Sequence, residues 1–210
     1  MKKINFILLL AILLLASCWT KKNKESVEWV ENVKCTCPPT IFIQPYDDFT
    51  QAEANALVPK IKASIVENAG IELDVEVLPN KQLSEALMNQ TKTRYRADKI
   101  IQSIEDNRHD VTIAVTHKDI SCTHNGKKDW GVLGLSFKSR KYVCVVSDFR
   151  LKNKKRDLWK VAMHEFFHTY CNMDHCPDDN ATCIIKDAKG HADFSNKEHL
   201  CAKCKAKCII

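Results

Sequence analysis

Leu158-Trp159-Lys160-Val161-Ala162-Met163-His164-Glu165-Phe166-Phe167-His168-Thr169-Tyr170-Cys171-Asn172-Met173-Asp174-His175-Cys176 is the stretch on which the reading of this chain turns. Leu158, Val161, Ala162 and Phe166 recur at helical spacing, which predicts a helix from Lys155 to Tyr170. His164 and His168 stand four apart on it, so both imidazoles share one face and can reach one zinc ion. Glu165, next to the first histidine, can accept a proton from water on that ion without joining its shell. Phe166 and Phe167 can then face a core while the histidines face a cleft.

A catalytic zinc takes three protein ligands and keeps an open position. The metzincin spacing, His-Glu-x-x-His-x-x-Gly-x-x-His, counts strictly to Asp174 and puts Cys171 in the glycine's place. With one residue inserted, Asn172 takes the glycine's place and Asn172-x-x-His175 reproduces the ending. Among residues with a side chain, Asn best tolerates the left-handed conformation that turns a chain out of a helix, and Cys does not. His175 is therefore the expected third ligand, with Asp174 as the alternative.

The chain has eleven cysteines. Cys176, Cys183 and the pair Cys201-Ala202-Lys203-Cys204 follow the histidines closely, an arrangement suited either to a structural zinc on four thiolates or to two disulfides. Spacing leaves both open. Cys201 and Cys204 lack the strand-to-helix placement of a thiol oxidoreductase. Cys35, Cys37, Cys122, Cys144, Cys171 and Cys208 have no part in that cluster, and Cys35 or Cys37 could reach the tail near Cys208. His191 and His199 read as surface residues.

Outward toward the N-terminus, Ile41-Phe42-Ile43 reads as a strand, and Thr50 caps a helix from Gln51 to Asn68 that Gly70 ends. Ile71 to Leu78 alternates apolar and acidic residues, a half-buried strand. A helix is expected over Arg94 to Glu105, a strand over Val111 to Val115, and a hairpin of Val132–Phe137 with Tyr142–Ser147 turning at Lys138 to Lys141. The order predicts a single α/β (α+β) domain over 39–210, a mixed twisted sheet with packed helices and a cysteine-rich tail.

At the other end, Lys2 and Lys3 precede an apolar run from Phe6 to Ala16, short of the about 20 residues a membrane span needs. Residues 1–17 read as a signal peptide. Leu15-Ala16-Ser17-Cys18 resembles a bacterial lipobox, which makes Cys18 the lipidated first residue of an exported, membrane-anchored lipoprotein, periplasmic or at the cell surface. Residues 18–38, rich in Lys, Asn and Glu, form the tether. A net charge of +6 with no nucleic-acid-binding signature gives no reason to expect a nucleic-acid partner.

Taken together, His164 through Cys204 resembles the archaemetzincins, whose signature joins His-Glu-x-x-His-x-x-Gly-x-x-His-Cys to further cysteines and a distant Cys-x-x-Cys. The resemblance extends upstream through Val132-Leu133-Gly134-Leu135, Tyr142 to Ser147 and Arg150, and more loosely over Pro79 and Arg94 to Ile101. It implies a metzincin-like fold with two zinc ions. One is catalytic on His164, His168 and His175 with Glu165 as general base, and one structural on Cys176, Cys183, Cys201 and Cys204. The sequence departs from the pattern in the extra residue before His175, a longer gap from Cys176 to Cys183, and Ile185 where the family has a methionine. The function implied is a zinc metallopeptidase, a monomer acting on peptide or protein substrates through water that Glu165 activates. The competing expectation is a non-catalytic zinc-binding lipoprotein, a scaffold or metal store with a degenerate site.

Overall fold

The computed structural model describes residues 38–105, 109–178, 181–188 and 194–208. The signal-peptide stretch, Cys18, the tether up to residue 37 with Cys35 and Cys37, and His191 lie outside the described residues.

After β1 (Ile41–Pro45), the helix α1 (Gln51–Ala69) starts where Thr50 predicts. The Thr50 hydroxyl accepts the Glu53 N–H at 3.2 Å and the Glu53 carboxylate accepts the Thr50 N–H at 2.9 Å. Those two bonds satisfy donors that a bare helix start leaves open. Gly70, at φ 73°, ends it in the left-handed conformation that glycine adopts without steric cost. β2 is shorter than its alternating pattern predicts, Val75–Val77, because β1 offers partners only from Ile41 to Ile43. The alternation itself holds: Leu73 and Val75 are buried, Glu72, Asp74 and Glu76 exposed.

The expected helix over Arg94 to Glu105 begins later. Tyr95–Arg96 form β3, and α2 covers Ala97–Ser103. Tyr95 and Arg96 pair with Ile120 and Ser121 of β5 (Ile120–His124), a strand that its mixed polar sequence conceals. β4 (Val111–Thr116) is buried throughout. β5 turns into β6 (Lys127–Val132) at Asn125-Gly126, with φ 46° and 75°. Positive φ at both positions is what a two-residue hairpin turn of this hand requires. The expected strand Val132–Phe137 is divided at Leu133: Val132 ends β6, while β7 (Gly134–Phe137) joins the other sheet. β8 (Arg140–Ser147) pairs with β7 as far as Phe137 with Arg140, so the turn shrinks from Lys138–Lys141 to Lys138-Ser139. A 3-10 segment, Phe149–Asp157, replaces the first turn expected at Lys155, and α3 runs Leu158–Thr169. α4 (Ala202–Lys205) lies in the cysteine-rich tail.

The larger sheet has the order β2-β1-β4-β8-β7, parallel except for β7 on the edge; β3, β5 and β6 form the smaller one. Alternate side chains of the central strands point to opposite faces. Val111, Ile113 and Val115 of β4, with Cys144 and Val146 of β8, pack against α1 and α3. Ala114, Val143 and Val145 pack against Ala97, Ile100 and Ile101 of α2. This is the mixed α/β domain expected, and it lays α3 across β8 and the edge strand β7. No described helix is long and apolar enough to cross a membrane.

Candidate metal centre

α3 buries Leu158, Val161, Ala162, Met163, Phe166 and Phe167 in the core and turns His164, Glu165 and His168 toward a cleft of about 1040 Å³. Asp174, His175, Gly134 and Ser136 line the same cleft.

Each helical histidine is oriented by a backbone carbonyl. His164 donates from Nδ1 to the Ile184 carbonyl at 2.7 Å, and His168 from Nδ1 to the Met173 carbonyl at 2.7 Å. A carbonyl oxygen only accepts, so the ring protons sit on Nδ1 and each neutral ring turns a lone pair out at Nε2. The two Nε2 atoms lie 3.1 Å apart. Two lone pairs at that distance repel unless a proton or a cation lies between them. Burial, reinforced by the neighbouring ring, holds His164 well below the usual histidine range, and burial lowers His168 as well. Protonation is thus disfavoured where a metal ion is not, and the carbonyl contacts are those that orient metal-ligating histidines.

The chain leaves α3 through Asn172, at φ 51°, the left-handed turn that its side chain tolerates. His175 thereby swings back, its ring centroid 4.6 Å from that of His168 and 5.3 Å from that of His164. The three histidines offer ring nitrogens within 4.8 Å of one another. Neutral imidazoles in this number suit zinc. Asp174, also at the cleft, stands outside that group: its exposed carboxylate forms an ion pair with Lys138 at 2.7 Å.

Glu165 is buried beside the histidines and outside their group. The Ser136 hydroxyl donates to its Oε2 at 2.8 Å. Burial pushes its carboxyl up to about 7, and the Ser136 bond pulls against that. Gly134 of the same strand passes so close that a Cβ there would lie 2.7 Å from Glu165 Cγ and Oε1. Sequence reasoning singled out neither Ser136 nor the carbonyls of Met173 and Ile184. The first is hidden in a short strand, and a carbonyl contact leaves no trace in residue identity.

Cys176, Cys183, Cys201 and Cys204 bring their Sγ atoms within 4.8 Å of one another. Cys176 and Cys201 are 3.8 Å apart at sulfur. Thiolates about 2.3 Å from a tetrahedral zinc stand about 3.8 Å apart, whereas a disulfide needs about 2.05 Å. The cluster has the geometry of the zinc alternative. Ile184 and Ile185 are fully buried in the main core, so an apolar side chain out of solvent stands at Ile185, where a methionine is expected. His199, as expected, sits on the surface, 3.0 Å from Glu67. Cys208 faces Cys171 at the end of α3, with the sulfurs 2.6 Å apart, while the expected reach of Cys35 or Cys37 toward the tail lies outside the described residues. Cys122 and Cys144 are buried in β5 and β8.

No protein-family model and no curated protein matches the chain. Solved structures do. The archaemetzincin of Methanopyrus kandleri superposes with a TM-score of 0.65 at 18% identity, over 83% of this chain and 95% of that one. That of Archaeoglobus fulgidus, in complex with malonate, gives 0.62 at 24% identity over 80% and 99%. This chain has the archaemetzincin fold. The likeness covers nearly the whole of both archaemetzincins. At these identities it is a statement about fold, and the resemblance read from the motif is upheld at that level.

Proposed function

We propose that this protein is a zinc-dependent metallopeptidase of archaemetzincin type. The observation that carries the reading is the convergence of the His164 and His168 Nε2 atoms, each with its Nδ1 committed to a carbonyl. In this reading His164, His168 and His175 hold a catalytic zinc, and Cys176, Cys183, Cys201 and Cys204 hold a structural one. Zinc, when bound, polarises a carbonyl and acidifies water.

The rest of the chemistry belongs to side chains. Glu165 Oε1 accepts the proton of the attacking water and delivers it to the leaving amine, while Ser136 keeps the other oxygen hydrogen-bonded and the carboxylate in register. A carboxyl held near 7 is suited to taking and returning a proton at neutral pH. β7, on the sheet edge beside α3, offers main-chain groups against which an extended peptide can lie. The protein acts as a monomer, and lipidation at Cys18 after export holds it at a membrane surface, with residues up to 38 as tether.

Purified protein should carry about two zinc ions per chain, as its two donor sets imply. Glu165→Gln should abolish peptide hydrolysis with zinc retained. Unchanged hydrolysis would refute the role of Glu165. Two bound zinc ions with no hydrolysis of any peptide in a random library would support the metal-store alternative.

A further inference from the structure

Cys171 and Cys208 belong to neither of the two donor groups, yet their sulfurs lie 2.6 Å apart, inside non-bonded contact and within reach of covalent bonding. Both are only partly buried. They join two places with a stake in the site. Cys171 opens the turn through Asn172 that returns His175 to the cleft. Cys208 follows α4, which carries Cys204. A second, smaller cavity is lined by Cys171, Asn172 and His175 together with Cys204 and Lys207.

We propose that Cys171 and Cys208 form a disulfide that pins the His175 turn to the cysteine-rich tail. The two thiols are unequal: the hydrogen bond between them lowers Cys208 and raises Cys171, so Cys208 supplies the thiolate. With a low-molecular-weight disulfide as oxidant, Cys208 Sγ attacks one sulfur of the oxidant, whose other sulfur leaves as thiolate. Cys171, losing its proton to that thiolate, then attacks Cys208 Sγ in the mixed disulfide and expels the second thiolate. The protein loses two electrons and two protons, and the oxidant is reduced to two thiols. The bond closes the segment from 171 to 208, which contains all four clustered cysteines and His175. The crosslink does not depend on the peptidase reading.

The full-length protein, equilibrated with oxidised glutathione, is denatured with a chelator, alkylated without reductant and digested with trypsin. The expected product is residues 161–186 joined to the tryptic peptide that begins at Cys208, with Cys176 and Cys183 alkylated. It should separate into its two parts on reduction. Alkylated Cys171 and Cys208, or Cys208 joined to any other cysteine, would overturn the crosslink. Pinning is read by hydrogen exchange on the intact oxidised protein against Cys208→Ser. The Met173 amide, bonded to the Phe167 carbonyl at 3.2 Å, should exchange about tenfold or more faster in the variant. Equal exchange would show that the bond forms without holding the turn, and would overturn that half of the proposal.

Discussion

Ser136 donates its hydroxyl proton to Glu165 Oε2 at 2.8 Å, from the edge strand of the sheet to the helix that carries both metal-facing histidines. The bond favours the ionised carboxylate, against the burial that pushes Glu165 up to about 7. In Ser136→Ala that restraint is gone. The acid limb of the pH profile of kcat/KM should move to higher pH, and kcat/KM at neutral pH should fall about tenfold, the scale of one hydrogen bond to a charged group. An unmoved limb would show that Ser136 does not act on Glu165.

The same carboxyl makes a signed prediction for the metal-free protein. Its folded value, about 7, lies above the 4.5 of an unperturbed glutamate, so the folded chain binds the extra proton between the two. Its contribution to stability is complete below 4.5 and is lost as pH rises to about 7. The histidines His164, His168 and His175, all lowered by burial, contribute in the opposite direction. Subtracting the Glu165→Gln curve isolates the carboxyl. Urea titrations of both chelated proteins should show wild type losing stability relative to the variant across that window. A flat difference would contradict the burial argument.

What the sequence made legible follows the range of the forces involved. Thr50, Gly70 and Asn172 act through their own backbone and near neighbours, and each appears where the residue type predicts. The apolar face of α3 was equally legible, since periodicity is local. The smaller sheet was not: Tyr95–Arg96 is a strand only because Ile120–Ser121, far along the chain, offers it partners. Asn125-Gly126 was a readable hairpin signal, but the polar strands on either side concealed it. The spacing of the histidines and cysteines indicated donor sets, whereas Ser136 at Glu165 and Ile184 at His164 depend on how two distant segments come to rest.

His175 and Asp174 are adjacent, and only one can serve the site. The His175 ring lies against those of His164 and His168, while the Asp174 carboxylate is 2.7 Å from Lys138 on the surface. His175→Ala should lower zinc affinity at this site by about a hundredfold or more, and Asp174→Ala should leave it within about twofold, since a solvent-exposed ion pair contributes little. Competition with a chromophoric chelator reads both. The opposite ranking would make Asp174 the third ligand.

The two donor sets are mechanically joined, because Cys183 of the thiolate cluster precedes Ile184, whose carbonyl receives the His164 Nδ1 proton at 2.7 Å. Cys204→Ser should therefore do more than release one metal. With the four-thiolate set broken, the segment around Cys183 loses its anchor, and the Ile184 carbonyl no longer holds the His164 ring in place. Loss of such an orienting contact weakens metal binding by about 10–100-fold. The sheet and α1 should stay folded: Cys176, Cys183 and Cys204 pack into the same core as Ile43, Ile61 and Ile113, but the substitution changes only one atom of that core, the Cys204 sulfur. Zinc content should drop by one ion per chain, and the remaining zinc should pass to a competing chelator more readily, while far-UV circular dichroism changes little. Undiminished affinity for the remaining zinc would show that the centres are independent despite sharing a strand of backbone.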